Sequence, residues 1–131
     1  MGDGVIQYKN GTPVQSYNEK NAFKETAGGY GSGYCYIDGL AFDKNGNLWM
    51  TSSEVNHAVL VLDKAGAWHR LDIEQLRGVY TINDILITST NDKWIYVPRN
   101  TPKLVMIPNS ESLDEVPRMS LLHLLIPTEK N

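Results

Sequence analysis

Gly39-Leu40-Ala41-Phe42-Asp43-Lys44-Asn45-Gly46-Asn47-Leu48-Trp49-Met50-Thr51 holds the information that decides the fold. Two apolar runs flank a polar turn. The first is Ile37 to Phe42 and the second Asn47 to Thr51, with Asn45 and Gly46 between them. Asn-Gly tolerates positive φ at both residues and marks a tight reversal between strands, so the stretch reads as a β-hairpin. Outward from it the same grammar continues. Short runs rich in Val, Ile, Leu, Trp and Tyr recur at Val5 to Tyr8, Val14 to Tyr17, Ala58 to Leu62, Ala67 to Leu71, Ile82 to Ile87, Lys93 to Val97 and Lys103 to Ile107. Gly, Asn, Asp and Pro separate them, Asn10-Gly11 and Ala65-Gly66 among them, and helical periodicity is scarce.

The hairpin also repeats. A shift of 45 residues lays Ile37 on Ile82, Asp38 on Asn83, Leu40 on Ile85, Phe42 on Ile87, Trp49 on Trp94 and Met50 on Ile95. It lays Leu60, Val61 and Leu62 on Val105, Met106 and Ile107. Four strands per unit at this period describe a β-propeller blade, for which about 40 to 50 residues are usual. The expected fold is therefore all-β: a partial propeller of about two and a half four-stranded antiparallel blades. One blade spans 37–72. A second spans 82–126 with an irregular last strand. Residues 4–18 form the outer half of an earlier blade, because Lys9-Asn10-Gly11 between two apolar runs resembles Lys64-Ala65-Gly66. The repeat puts the fourth strand of the second blade near Ser112 to Val116, where the residues are poor strand formers. The apolar run Leu121 to Ile126 follows, either a delayed outer strand or a short helix.

The Gly39 to Thr51 motif resembles the two-component-regulator propeller repeat, an apolar strand followed by Asp-x-Asp/Asn-Gly-Asn-Leu-Trp and a small or hydroxyl residue. That family forms extracytoplasmic sensor propellers of hybrid histidine kinases and a surface propeller of the type IX secretion system. Gly39 to Thr51 and Trp94-Ile95-Tyr96-Val97-Pro98-Arg99 look closer to the secretion-type propellers. The second blade departs from the pattern at Thr88-Ser89-Thr90-Asn91-Asp92-Lys93. The resemblance implies a location in the periplasm or on the outer surface of a bacterium. It implies a non-enzymatic recognition or scaffold domain that binds a glycan, a lipopolysaccharide component or a protein. Streptogramin-lyase-like and lactonase-like propellers share the motif shape, which keeps a propeller enzyme as an alternative. A purely structural propeller fragment is a further one.

Composition narrows the partners. Of 131 residues, 41% are hydrophobic and 21% charged, with a net charge of -3, so no basic face for nucleic acid is advertised. No apolar stretch approaches the roughly 18 residues of a membrane helix. About two and a half blades stand against the four to eight of a closed ring, so the chain is expected to be a piece of a larger propeller. Its expected partners are the remaining blades or copies of itself.

Few constellations carry chemistry. Asp43, Asn45 and Asn47 have calcium-loop spacing, yet Leu48 occupies the sixth position, where such a loop needs glycine. A hairpin turn is the expectation, with no metal and no cofactor. The glycine-rich run Ala27 to Tyr36 lacks the Gly-Lys-Ser/Thr of a phosphate loop and reads as a loop between blades, or one carrying tyrosines for binding. Cys35 is expected to be a small buried residue, and no catalytic set is visible. Asp38 and Asn83 open equivalent innermost strands, while His57 and Arg99 fall in equivalent loops. With Tyr34 and Tyr80 they are the ligand-binding candidates on one face. Trp49 and Trp94, just after the first hairpin turn of each blade, are expected between blades, and Asn45 and Gly46 are expected to shape the turn.

Overall fold

A computed structural model describes residues 4–18, 21–23, 35–98, 102–110, 112, 113 and 120–123, the last four as backbone. Ten strands are present among them. β1 (Val5–Lys9) and β2 (Thr12–Tyr17) form a two-stranded sheet. β3 (Ile37–Phe42), β4 (Leu48–Ser52), β5 (Val59–Leu62) and β6 (Trp68–Leu71) form a four-stranded antiparallel sheet in chain order. β7 (Ile85–Ile87), β8 (Lys93–Val97), β9 (Lys103–Ile107) and β10 (Ser120–His123) form another. The fold is a partial β-propeller of two four-stranded blades preceded by a two-stranded one.

The pairing register carries the repeat. Leu40 lies opposite Met50 and Ile85 opposite Ile95. Trp49 lies opposite Val61 and Trp94 opposite Met106. Every one of these pairs moves onto its counterpart by the 45-residue shift. Strand alternation then gives each sheet two faces. Trp49, Val59, Val61 and Leu71 of the first blade pack against Ile85, Ile95, Val97, Val105 and Ile107 of the second in one core. The opposite face of the first blade, with Met50, Leu60 and Leu62, packs against Val5, Tyr17, Ala22, Phe23 and Cys35. Trp68 completes this second core, its ring met edge-on by Tyr17 at 5.5 Å and Phe23 at 5.6 Å between centroids. β4 is nearly buried along its whole length because both of its faces are covered, as a strand between two layers must be.

Three turns share one geometry. In 43–47, the Asp43 carboxylate Oδ1 accepts from the backbone N–H of Asn45 (2.8 Å) and Asn47 (3.0 Å), and Gly46 takes φ +86°. In 63–67, Asp63 Oδ1 accepts from Ala65 and Ala67, and Gly66 takes φ +92°. In 88–92, where the sequence departs from the motif, the Thr88 hydroxyl accepts from Asp92 N–H and Asn91 supplies the positive φ at +65°. Asn tolerates the left-handed region almost as glycine does, so the departure in sequence preserves the turn. Asn10-Gly11 forms the two-residue hairpin expected of it, with both residues at positive φ. Asn45 does not: in its turn only Gly46 enters the left-handed region, because a type I turn precedes it in a longer loop.

The late apolar run begins as a strand, and its part from Leu124 on lies outside the described residues. β10 pairs with β9, Leu121 opposite Val105. Leu113, where the repeat places the fourth strand, packs on the inter-blade core. β7 is shorter than its apolar run, since the Ile82 N–H bonds the Ser53 hydroxyl at 2.9 Å rather than a neighbouring strand. Cys35 is buried.

Candidate functional site

Of the sequence candidates for ligand binding, Asp38, His57, Tyr80 and Asn83 are among the described residues. Asp38 stands near the start of β3. Its Oδ2 accepts the Ser53 hydroxyl, which in turn accepts the Ile82 N–H. The next residue, Asn83, gives its carbonyl to the Thr51 hydroxyl (3.2 Å) and its N–H to the Tyr96 carbonyl (2.9 Å). Asp38 and Asn83 are thus tied together through Ser53 and Thr51 at the end of the innermost strands, both exposed to solvent. Partial burial pushes the Asp38 carboxyl up from its ordinary value, against the side-chain and backbone hydrogen bonds from Ser53. Tyr80, just upstream, is 67% exposed. The loops beneath are latched by Glu54 N–H on the Val79 carbonyl and Gly78 N–H on the Val55 carbonyl.

His57 lies in the loop between β4 and β5, which also carries Ser53. It is half-buried and acts electrostatically on Asp72, whose carboxylate is gripped by both Nε and Nη2 of Arg77. Tyr34 and Arg99 lie outside the described residues, as does the glycine-rich run 27–34. Sequence reasoning missed Ser53, which joins the two blades. The hydroxyl pair Ser52-Ser53 closing the motif strand was its visible trace.

A second polar cluster surrounds Trp49. Its indole Nε1–H donates to Asp43 Oδ2 at 2.8 Å, and the Asn47 side-chain amide donates to the same oxygen at 3.0 Å. The Lys93 ammonium, on a residue only 2% exposed, lies 4.6 Å from the centre of the indole ring. Burial pushes that ammonium down from its ordinary value, with Asp43 and Asp92 pulling it back up. Trp49 is therefore bonded at its edge by its own blade and capped on its face by the next. Trp94 at the equivalent position is half-buried, because among the described residues no further sheet covers that face and Thr88 replaces the aspartate. The Asp43 turn, which has calcium-like spacing, directs its carboxylate at N–H donors.

Burial raises the Asp43 carboxyl, but the donors on Asn47, Trp49 and Asn45 outweigh it, and the net shift is down from 3.8. A depressed native pKa stabilises the fold above the unfolded value and loses that contribution as pH falls through the native one. Asp43→Ala is expected to cost about 2 to 3 kcal/mol at neutral pH, since it strands buried donors. The gap to wild type should narrow below about pH 4. Urea unfolding of both proteins at pH 7 and pH 3 checks this, and a gap that is constant with pH would contradict it.

Blades of four antiparallel strands, repeated at 45 residues and laid face to face, define a β-propeller class, seen here in part. A solved structure of PorZ superposes on it with a TM-score of 0.75, at 20% identity over 94% of the chain. PorZ is described as an essential bacterial surface component of the type-IX secretion system of Porphyromonas gingivalis, of the human oral microbiome. The chain spans 17% of the length of PorZ, and the likeness establishes the fold. No family model and no curated protein matches the chain.

Proposed function

We propose that this chain is part of a non-enzymatic recognition or scaffold propeller, working in the periplasm or on the outer surface of a bacterium in association with type IX secretion. The observation that carries the reading is the fold likeness to the PorZ surface component across 94% of the chain. Fold alone does not assign a task, so the proposal also rests on the rim. There, exposed Asp38, Asn83 and Tyr80 offer an acceptor, an amide and an aromatic plate, a combination suited to the hydroxyls and apolar face of a sugar. The ligand class is a glycan, in particular the polysaccharide part of lipopolysaccharide. The other partner is the remainder of the propeller. Calorimetric titration with lipopolysaccharide-derived oligosaccharide is expected to show saturable binding, weakened about tenfold or more by Tyr80→Ala or Asn83→Ala. Binding that these variants leave unchanged, no saturable binding, or turnover of the titrant would each overturn the proposal.

A further inference from the structure

A groove of about 450 Å3 runs between β1 and the inner strands of the first four-stranded blade. Its walls include Ile6 and Tyr8 on one side and Leu40, Phe42 and Leu48 on the other. We infer that this groove seats two further strands, an antiparallel hairpin supplied by the same polypeptide, which pairs with the open edge of β1 and completes a four-stranded blade.

The repeat itself provides the comparison. Leu40, Phe42 and Leu48 correspond by 45 residues to Ile85, Ile87 and Lys93. In the second blade, Ile85 is 6% exposed, Lys93 is buried and Ile87 is half-buried, because β3 and β4 lie over them. In the first blade, Leu40 is 51% exposed and Phe42 68%. The difference is in what faces them. A full blade covers the second set, and only the outer pair β1 and β2 covers the first. The Lys9-Asn10-Gly11 turn matches Lys64-Ala65-Gly66, which assigns β1 and β2 to the positions of β5 and β6. Among the described residues β1 pairs with β2 alone, so the two inner positions lie open beside it.

The groove also continues an existing interface. Val5, Tyr17 and Phe23 already pack on Leu60, Leu62 and Trp68, and the groove extends that contact toward the innermost strand. An open strand edge and an apolar face demand backbone pairing as well as apolar contact, which an added hairpin supplies and a small apolar molecule does not. Both complete blades run in chain order, so a hairpin that leads directly into β1 is the connection that matches them. Trp49 lies over Lys93 in the complete interface, and Lys93 corresponds to Leu48. The hairpin should therefore place a large aromatic over Leu48. This inference is independent of what the rim binds.

The test uses the chain with a second copy of residues 37–58 fused directly ahead of Gly4. Phe42→Cys is introduced as a thiol probe in the fused and unfused proteins. The fused protein is expected to unfold at higher temperature and to react with a maleimide at least about tenfold more slowly at position 42. Equal reactivity and equal Tm would overturn the inference. So would an unfused protein whose probe is already protected by dimerisation in sedimentation analysis, since the occupant would then be a second copy. If the fusion does not fold, a synthetic peptide of residues 37–58 added to the unfused protein must protect the probe saturably. Failure of that protection, or equal protection by a scrambled peptide, counts against the hairpin.

Discussion

Trp49→Ala is expected to remove about 3 to 5 kcal/mol of stability, the range for deleting a large buried aromatic. Against a total of about 5 to 15 kcal/mol for an ordinary domain, that is a substantial fraction of the folded state. The reason lies in where the ring sits. Trp49 is 3% exposed and belongs to the core that joins the two complete blades. Removing it opens a cavity at their interface and takes away the surface on which the buried Lys93 ammonium rests. Urea unfolding followed by circular dichroism measures the loss, and Trp49→Phe separates its parts. Phenylalanine keeps most of the ring but gives up the bond to Asp43, so its cost should stay near 1 to 2 kcal/mol, of the order of one buried hydrogen bond. An alanine variant no less stable than the phenylalanine variant would show that Trp49 does not join the blades.

Gly39→Val is expected to cost about 3 kcal/mol or more, the upper end of the overpacking range. Gly39 has an ordinary backbone conformation, and its constraint is spatial. A Cβ there would stand 3.0 Å from the Ile85 backbone nitrogen, 3.1 Å from Thr51 Oγ1 and 3.2 Å from Asp84 Cα. Two of the three are backbone atoms of the next blade, which cannot swing aside. β3 runs beside β7 here, and the innermost strands of neighbouring blades approach most closely. Valine must either push the blades apart or break the Thr51 to Asn83 bond that ties the rim together. Thermal unfolding reads the cost, and Gly39→Ala should fall about halfway to valine. A valine variant with wild-type Tm would show that the two inner strands are not held in contact.

Much of the architecture was legible because a blade is written locally. Apolar runs between turn residues give strands, and the 45-residue recurrence gives the unit. The pairing of Leu40 with Met50 and of Ile85 with Ile95 follows from that register. The late run from Leu121 to Ile126 was ambiguous because five apolar residues around one histidine fit a strand or a short helix equally well; pairing with β9 makes its start, up to His123, a strand. The turn at Thr88 looked like a departure because its residue types differ, yet a hydroxyl acceptor and an asparagine at positive φ build the same loop.

The candidate site was legible only in part. Asp38 and Asn83 could be matched by repeat, and the structure links them through Ser53 and Thr51. His57 lies in the expected loop between the second and third strands of its blade, and the structure adds its electrostatic action on Asp72. Loop position in a repeat fixes the end of a blade, while side-chain direction depends on contacts made across blades. Lys93 illustrates the same limit: a charged residue opening an apolar strand gives no sign that its ammonium ends over a tryptophan of the neighbouring blade.

The sequence by itself determined the strands, their order and the blade repeat, because strand alternation and turn chemistry act over a few residues. Only the tertiary structure decided which face of each blade is covered. Trp49 and Trp94 hold equivalent positions, and one is buried while the other is half-buried. Leu40 and Ile85 are likewise equivalent, and one is exposed while the other is buried. Burial belongs to the pair of surfaces that meet, and what stands opposite a residue is not encoded at that residue.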